Sequence, residues 1–106
     1  MKTYIVDIDG TICSQNHFTN GERDYKLAQP FKERIKNIND LFEQGNKIHY
    51  WTARGSVSGI DHLKLTTDQL KDWGCKYTSL RVGDKPHYDI WIDDKAVWSE
   101  EYFRNK

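Results

Sequence analysis

A chain of 106 residues in which sixteen basic side chains balance sixteen acidic ones has no global field to draw it to nucleic acid or to an anionic membrane. This length suits a single domain over 1–106 with one core, and 13% aromatic residues supply the bulky core material that a disordered chain lacks. No run nears the roughly 18 apolar residues that span a bilayer, and Met1–Asp7 has no long apolar stretch of a leader. Cys13 and Cys75 have neither a metal-type nor a framework spacing, so a soluble, cytoplasmic protein with reduced thiols is expected.

Tyr4-Ile5-Val6 is a short β-branched and aromatic run that ends abruptly in Asp7-Ile8-Asp9-Gly10. It reads as a buried strand delivering polar residues at its C-terminal end. Residues 12–30 are polar and irregular, punctuated by Gly21 and Pro30, and suit a loop or small hairpin flap. From Phe31 to Gln44 apolar residues recur at Phe31, Ile35, Ile38, Leu41 and Phe42, a helical spacing framed by Pro30 and Gly45. Lys47–Trp51 predicts a second strand, ending in Thr52-Ala53-Arg54-Gly55. A loop over 55–65 should precede a helix capped by Thr66-Thr67-Asp68-Gln69 and closed by Gly74. Tyr77–Leu80 predicts a third strand and Tyr88–Ile92 a fourth, ending in Asp93-Asp94, with a closing helix over 95–104.

Strands alternating with helices imply an α/β fold, a three-layer, Rossmann-like parallel sheet with helices on both faces. Ligands of such sheets sit outside the C-terminal ends of the strands, where Asp7, Asp9, Thr52, Asp93 and Asp94 all fall. Four carboxylates at one edge repel each other, and a divalent cation resolves the conflict. Oxygen donors from short loops suit Mg²⁺ rather than zinc; His17, His49, His62 and His87 share no metal-type spacing. The Thr52 hydroxyl, the Lys85 ammonium and backbone N–H groups at Ile8 and Ala53 suit the oxygens of a phosphoryl group. Asp7 and Asp9, two apart in extended chain, point the same way, so one can attack while the other handles protons.

These residues resemble the haloacid dehalogenase superfamily of phosphohydrolases. The likeness lies in Asp7-Ile8-Asp9-Gly10-Thr11 after an apolar strand, Trp51-Thr52-Ala53-Arg54 after a second, Lys85 within Gly83-Asp84-Lys85-Pro86, and Ile92-Asp93-Asp94 after a fourth. All stand in the family's order across residues 3 to about 95. The resemblance implies that Asp7 forms an aspartyl-phosphate while Asp9 protonates the leaving oxygen and then deprotonates water. It implies that Thr52 and Lys85 hold the phosphoryl group. Mg²⁺ would bind Asp7, the carbonyl of Asp9, and Asp93, with Asp94 bound through water or standing behind it. The gaps between motifs leave no room for a cap domain, so the site is open to a large substrate or covered by a neighbouring copy in a homo-oligomer.

Each motif has a plainer interpretation. Asp-Gly is common turn chemistry, Thr52 alone is a cap, and a lone lysine before proline is solvated; their joint order at strand ends carries the weight. Arg54 suits a substrate anion by its bidentate fork, or a structural salt bridge. His17 and His62 read as solvated loop histidines near the pocket mouth. Trp51 and Trp91 read as core, and Trp98, Tyr102 and Phe103 as sheet cover or, if exposed, an interface. The expected function is phosphomonoester hydrolysis on a small metabolite, such as a sugar or polyol phosphate. The alternatives are a phosphatase on a nucleic-acid end, disfavoured by neutral charge, and a receiver-like phospho-acceptor module, in which the acidic pair would come first. For the leading chemistry, four separated stretches of backbone must meet around one cation facing one phosphoryl group.

Overall fold

The computed structural model describes residues 1–104. Strand β1 (Thr3–Val6) pairs in parallel with β4 (Lys47–Thr52), which pairs in parallel with β5 (Ser79–Val82), giving the order β1-β4-β5. The domain is thus a small α/β unit with a three-stranded parallel sheet and, among the described residues, no cap domain. Helix α1 (Lys32–Glu43) connects β1 to β4, and α2 (Leu63–Asp72) connects β4 to β5. Both crossovers step the same way across the sheet, so right-handed connections put both helices on one face. Alternation along the strands agrees: Val6, Ile48, Tyr50 and Thr52 are buried on that face with Ile35, Ile38 and Leu70. On the other face Ile5 is exposed, and His49 and Trp51 are half-buried. Among the described residues the helices recorded against the sheet cover one face, where the sequence predicts two.

The segment 12–30 is a flap, as its polarity predicts. It holds a two-residue hairpin, β2 (Phe18–Thr19) with β3 (Glu22–Arg23), and a 3-10 turn over Tyr25–Leu27 capped by Asp24. Gly45, at φ 93°, takes the left-handed turn that ends α1.

Several elements differ from expectation, among them the closing helix, which covers Ser99–Tyr102 rather than 95–104. Helix α2 starts at Leu63, three residues before the Thr66 cap, because Asp61 Oδ1 accepts the Leu63 N–H (2.9 Å), while Thr66 is fully buried inside the helix. Strand β5 begins two residues late: Thr78 exchanges bonds with Ile48 through its hydroxyl and its N–H, and pairing starts at Ser79. The largest correction concerns Tyr88–Ile92, which forms no strand. Residues 86–98 are an exposed, irregular arm between β5 and the short helix α3 (Ser99–Tyr102). A parallel strand needs a crossover of about a dozen residues, and only a few separate β5 from Tyr88. Among the described residues no helix is long and apolar enough to cross a membrane.

Candidate active site

Register sets the site. Val6 is level with Tyr50, and Thr52 with Val82, so the residues following β1, β4 and β5 emerge along one edge. After β1 the chain turns tightly: Thr11 and Ile12 N–H both donate to the Ile8 carbonyl, and Gly10, at φ 80°, supplies the left-handed step. This turn leaves the Asp7 and Asp9 side chains 39% and 20% exposed while burying those of Ile8 and Ile12.

Asp7 and Lys85, 78 residues apart, meet there, with Lys85 Nζ 3.3 Å from Asp7 Oδ1. Asp7 Oδ2 accepts the Thr11 hydroxyl at 3.2 Å. Lys85 is nearly buried, and its ammonium also lies 5.7 Å from the Tyr88 ring centroid. At the end of β4 the Thr52 side chain is buried, and its hydroxyl accepts the Arg54 N–H at 3.2 Å. Asp7, Asp9, Thr52, Ala53 and Lys85 share a cavity of about 360 Å³, which the flap residues His17 and Arg23 also line. Ile8 does not line it; an Ile8 contribution would come through the backbone alone.

Arg54 lines this cavity but resolves toward the salt bridge, and it is only 1% exposed. Its Nε donates to Asp9 Oδ2 (2.9 Å) and its Nη2 to Asp9 Oδ1 (2.8 Å), a bidentate fork. Its Nη1 donates to Thr66 Oγ1 (3.2 Å) and Gln69 Oε1 (2.5 Å). The Tyr25 ring lies 4.7 Å away. Burial opposes the charge, but the hydrogen bonds and charge of Asp9 outweigh it and leave the guanidinium's pKa raised. Thr66 and Gln69, which mimic a capping box in sequence, are therefore the inward ligands of Arg54. Behind Asp9, the buried Cys13 Sγ lies 3.5 Å from Asp9 Oδ1. Burial first, and the Asp9 charge second, push its pKa up to about 12, so the thiol is an inert donor.

Two expected ligands are not in this cluster. Asp93 and Asp94 lie on the exposed arm and do not line the cavity. Asp93 accepts the Lys95 N–H (2.6 Å) and the Trp91 indole N–H (3.1 Å), which, the backbone bond first, hold its carboxyl below the usual range. The cause is the missing fourth strand, which leaves nothing to deliver them to the sheet edge. Among the described residues no three His, Cys, Asp or Glu side chains gather as a metal group. The Asp9 carboxylate is held by Arg54, which leaves its backbone carbonyl as the expected donor, and Asp7 faces an ammonium. Within one chain the donor set expected for Mg²⁺ is incomplete.

His87 and Tyr25, which the sequence does not mark as site residues, also line the cavity. The near-Pro position of His87 and the capped turn at Tyr25 carry no motif that would single them out. His17 is held by Ser14 Oγ at 2.7 Å, while His62 packs edge-on against Tyr25 at 4.9 Å.

No model of a known protein family matches the chain, and no curated protein matches it. Among solved structures, the chain is similar to the crystal structure of an MCSG target from Vibrio cholerae. The two share 29% sequence identity and superpose with a TM-score of 0.80, over 96% of this chain and 87% of that one.

Proposed function

We propose that this chain is a phosphomonoester hydrolase of the haloacid dehalogenase type, acting through an aspartyl-phosphate on Asp7. The observation that carries this proposal is the Asp7–Lys85 contact in a cavity that also holds Asp9 and Thr52. A carboxylate attacks a phosphate dianion only if its charge repulsion is offset, and the Lys85 ammonium stands where both anions would meet. An Asp7 oxygen forms a bond to phosphorus as the bond to the leaving oxygen breaks, and Asp9 delivers a proton to that oxygen. Asp9 then takes a proton from water, whose oxygen attacks phosphorus, releasing inorganic phosphate and restoring the Asp7 carboxylate.

Arg54 orients Asp9 for both steps. Its fork occupies one lone pair on each Asp9 oxygen and the Cys13 thiol a second on Oδ1, which leaves Oδ2 with a lone pair for the cavity. Thr52 and Ala53 line the same cavity as Lys85. Cavities of about 300 Å³ and upward hold small molecules, so the volume here favours a compact phosphorylated metabolite, such as a sugar or polyol phosphate. Arg23 and His17 on the flap are the specificity residues in reach.

Phosphate release from an aryl phosphate and a metabolite panel tests the activity, and hydroxylamine trapping tests the acyl-phosphate. Wild-type protein should release phosphate and form a trappable adduct, and Asp7→Asn should do neither. A folded Asp7→Asn protein with near wild-type turnover would remove Asp7 from its role.

A further inference from the structure

Among the described residues two parts of the chain lack strand pairing, the arm resting only by side chains such as Trp91 on Trp51, and the two match each other. Among the described residues no strand pairs with the second edge of β1, and Ile5 beside it is 63% exposed. The arm over 86–98 holds the strand-like run Tyr88-Asp89-Ile90-Trp91-Ile92, with Ile90 77% and Ile92 93% exposed, and with Trp98 also exposed beyond it. Unpaired edges and exposed β-branched runs both invite strand addition.

This chain cannot pair the two by itself in the sense the carboxylates need. Lys85 stands at the C-terminal edge of the sheet beside Asp7, and only Pro86 and His87 separate it from Tyr88. Three steps of backbone reach about 11 Å, whereas β1 alone is about 13 Å long and the chain must also cross sideways. A parallel connection takes about a dozen residues. A second copy escapes this limit, because its body is free to sit elsewhere.

Resting on the phosphohydrolase reading, we propose that two copies exchange arms. Tyr88–Ile92 of each adds in parallel to the free edge of β1 in the other, and Asp93 and Asp94 arrive beside Asp7 of the opposite copy. With Asp93 level with Asp7, Ile92 faces Val6, Trp91 faces Ile5 and Ile90 faces Tyr4. Alternation then puts Ile90 and Ile92 on the buried face with Tyr4 and Val6, Trp91 on the open face over Ile5, and Asp93 on the same side as Asp7. A one-residue slip would invert every one of these matches. The exchange joins the missing carboxylates to the site, closes the edge, and is reciprocal, as a two-fold dimer requires.

Native mass measurement and co-expression test the exchange together. Wild-type protein should have twice the chain mass, and the double variant Ile90→Asp with Ile92→Asp, at two positions exposed in the single chain, should be folded and have half that mass. A wild-type monomer at micromolar concentration, or a double variant that stays dimeric, overturns the exchange. Asp7→Asn and the pair Asp93→Asn with Asp94→Asn should each be inactive alone. Co-expressed, they should regain about a quarter of wild-type turnover, since half the dimers are mixed and one of two sites in each is whole. No regain in an intact mixed dimer overturns the shared site. A dimeric wild type that cleaves no phosphate ester would instead defeat the catalytic proposal and leave the exchange standing on its mass.

Discussion

The Arg54 guanidinium grips both carboxylate oxygens of Asp9, at 2.9 and 2.8 Å, from a position almost wholly out of solvent. Forty-five residues separate the pair, and its geometry fixes the group proposed to move protons. Arg54→Lys keeps the charge but loses the fork. We expect kcat to fall about a hundredfold, the cost of misplacing a reacting group by about 1 Å, with KM little changed. Arg54→Ala also strands Asp9, Thr66 and Gln69 and should cost about 3 kcal/mol in urea unfolding.

Lys85→Met removes the ammonium beside Asp7 while keeping the stem that packs near Tyr88. Loss of one charged donor at the reacting phosphoryl group should lower kcat/KM about a hundredfold or more. Steady-state kinetics on an aryl phosphate would show it, and an unchanged kcat/KM would place Lys85 outside the reaction.

Chelation should abolish turnover, and added Mg²⁺ should restore it, if Asp93 and Asp94 of a second copy complete the donor set. The monomeric Ile90→Asp/Ile92→Asp variant should not be rescued by Mg²⁺ at concentrations that saturate the wild type. Undiminished turnover in excess EDTA would rule out the cation.

Stability should fall as the solution turns alkaline. The Cys13 pKa is raised from 9.0 to about 12, and that of Cys75 to about 11, burial leading in both. The unfolded chain therefore loses these protons first, so the stabilisation is complete below about pH 9 and drains away as pH climbs toward 11 and 12. Urea midpoints measured from pH 8 to 11 should decline, and Cys13→Ala should make the decline shallower.

Gly55 sits at φ 83°, and a Cβ there would come 2.0 Å from the Ile60 carbonyl oxygen. Gly55→Ala should cost more than about 2 kcal/mol, since strain and a backbone clash add. Gly45→Ala meets no atom within 4 Å and should cost only about 1 kcal/mol for its left-handed φ. Thermal melts of the two variants would compare them directly.

What the sequence determined by itself is local. Apolar period, Pro30 and Gly45 place α1 almost to the residue, and the run before Asp7 places β1 and the turn behind it, because those signals lie within a few bonds of what they shape. Ordered motifs at strand ends also marked Asp7, Asp9, Thr52 and Lys85, since a parallel sheet sends its strand ends to one edge. Tertiary structure decided the rest. Whether Arg54 turns to solvent or to Asp9, and whether Thr66 caps a helix or serves that arginine, depends on which elements pack across the edge. Tyr88–Ile92 has the composition of a strand, but a strand exists only where an edge can be reached, and two residues of tether after Lys85 do not reach one. Composition is written residue by residue; reach is a property of the assembled sheet.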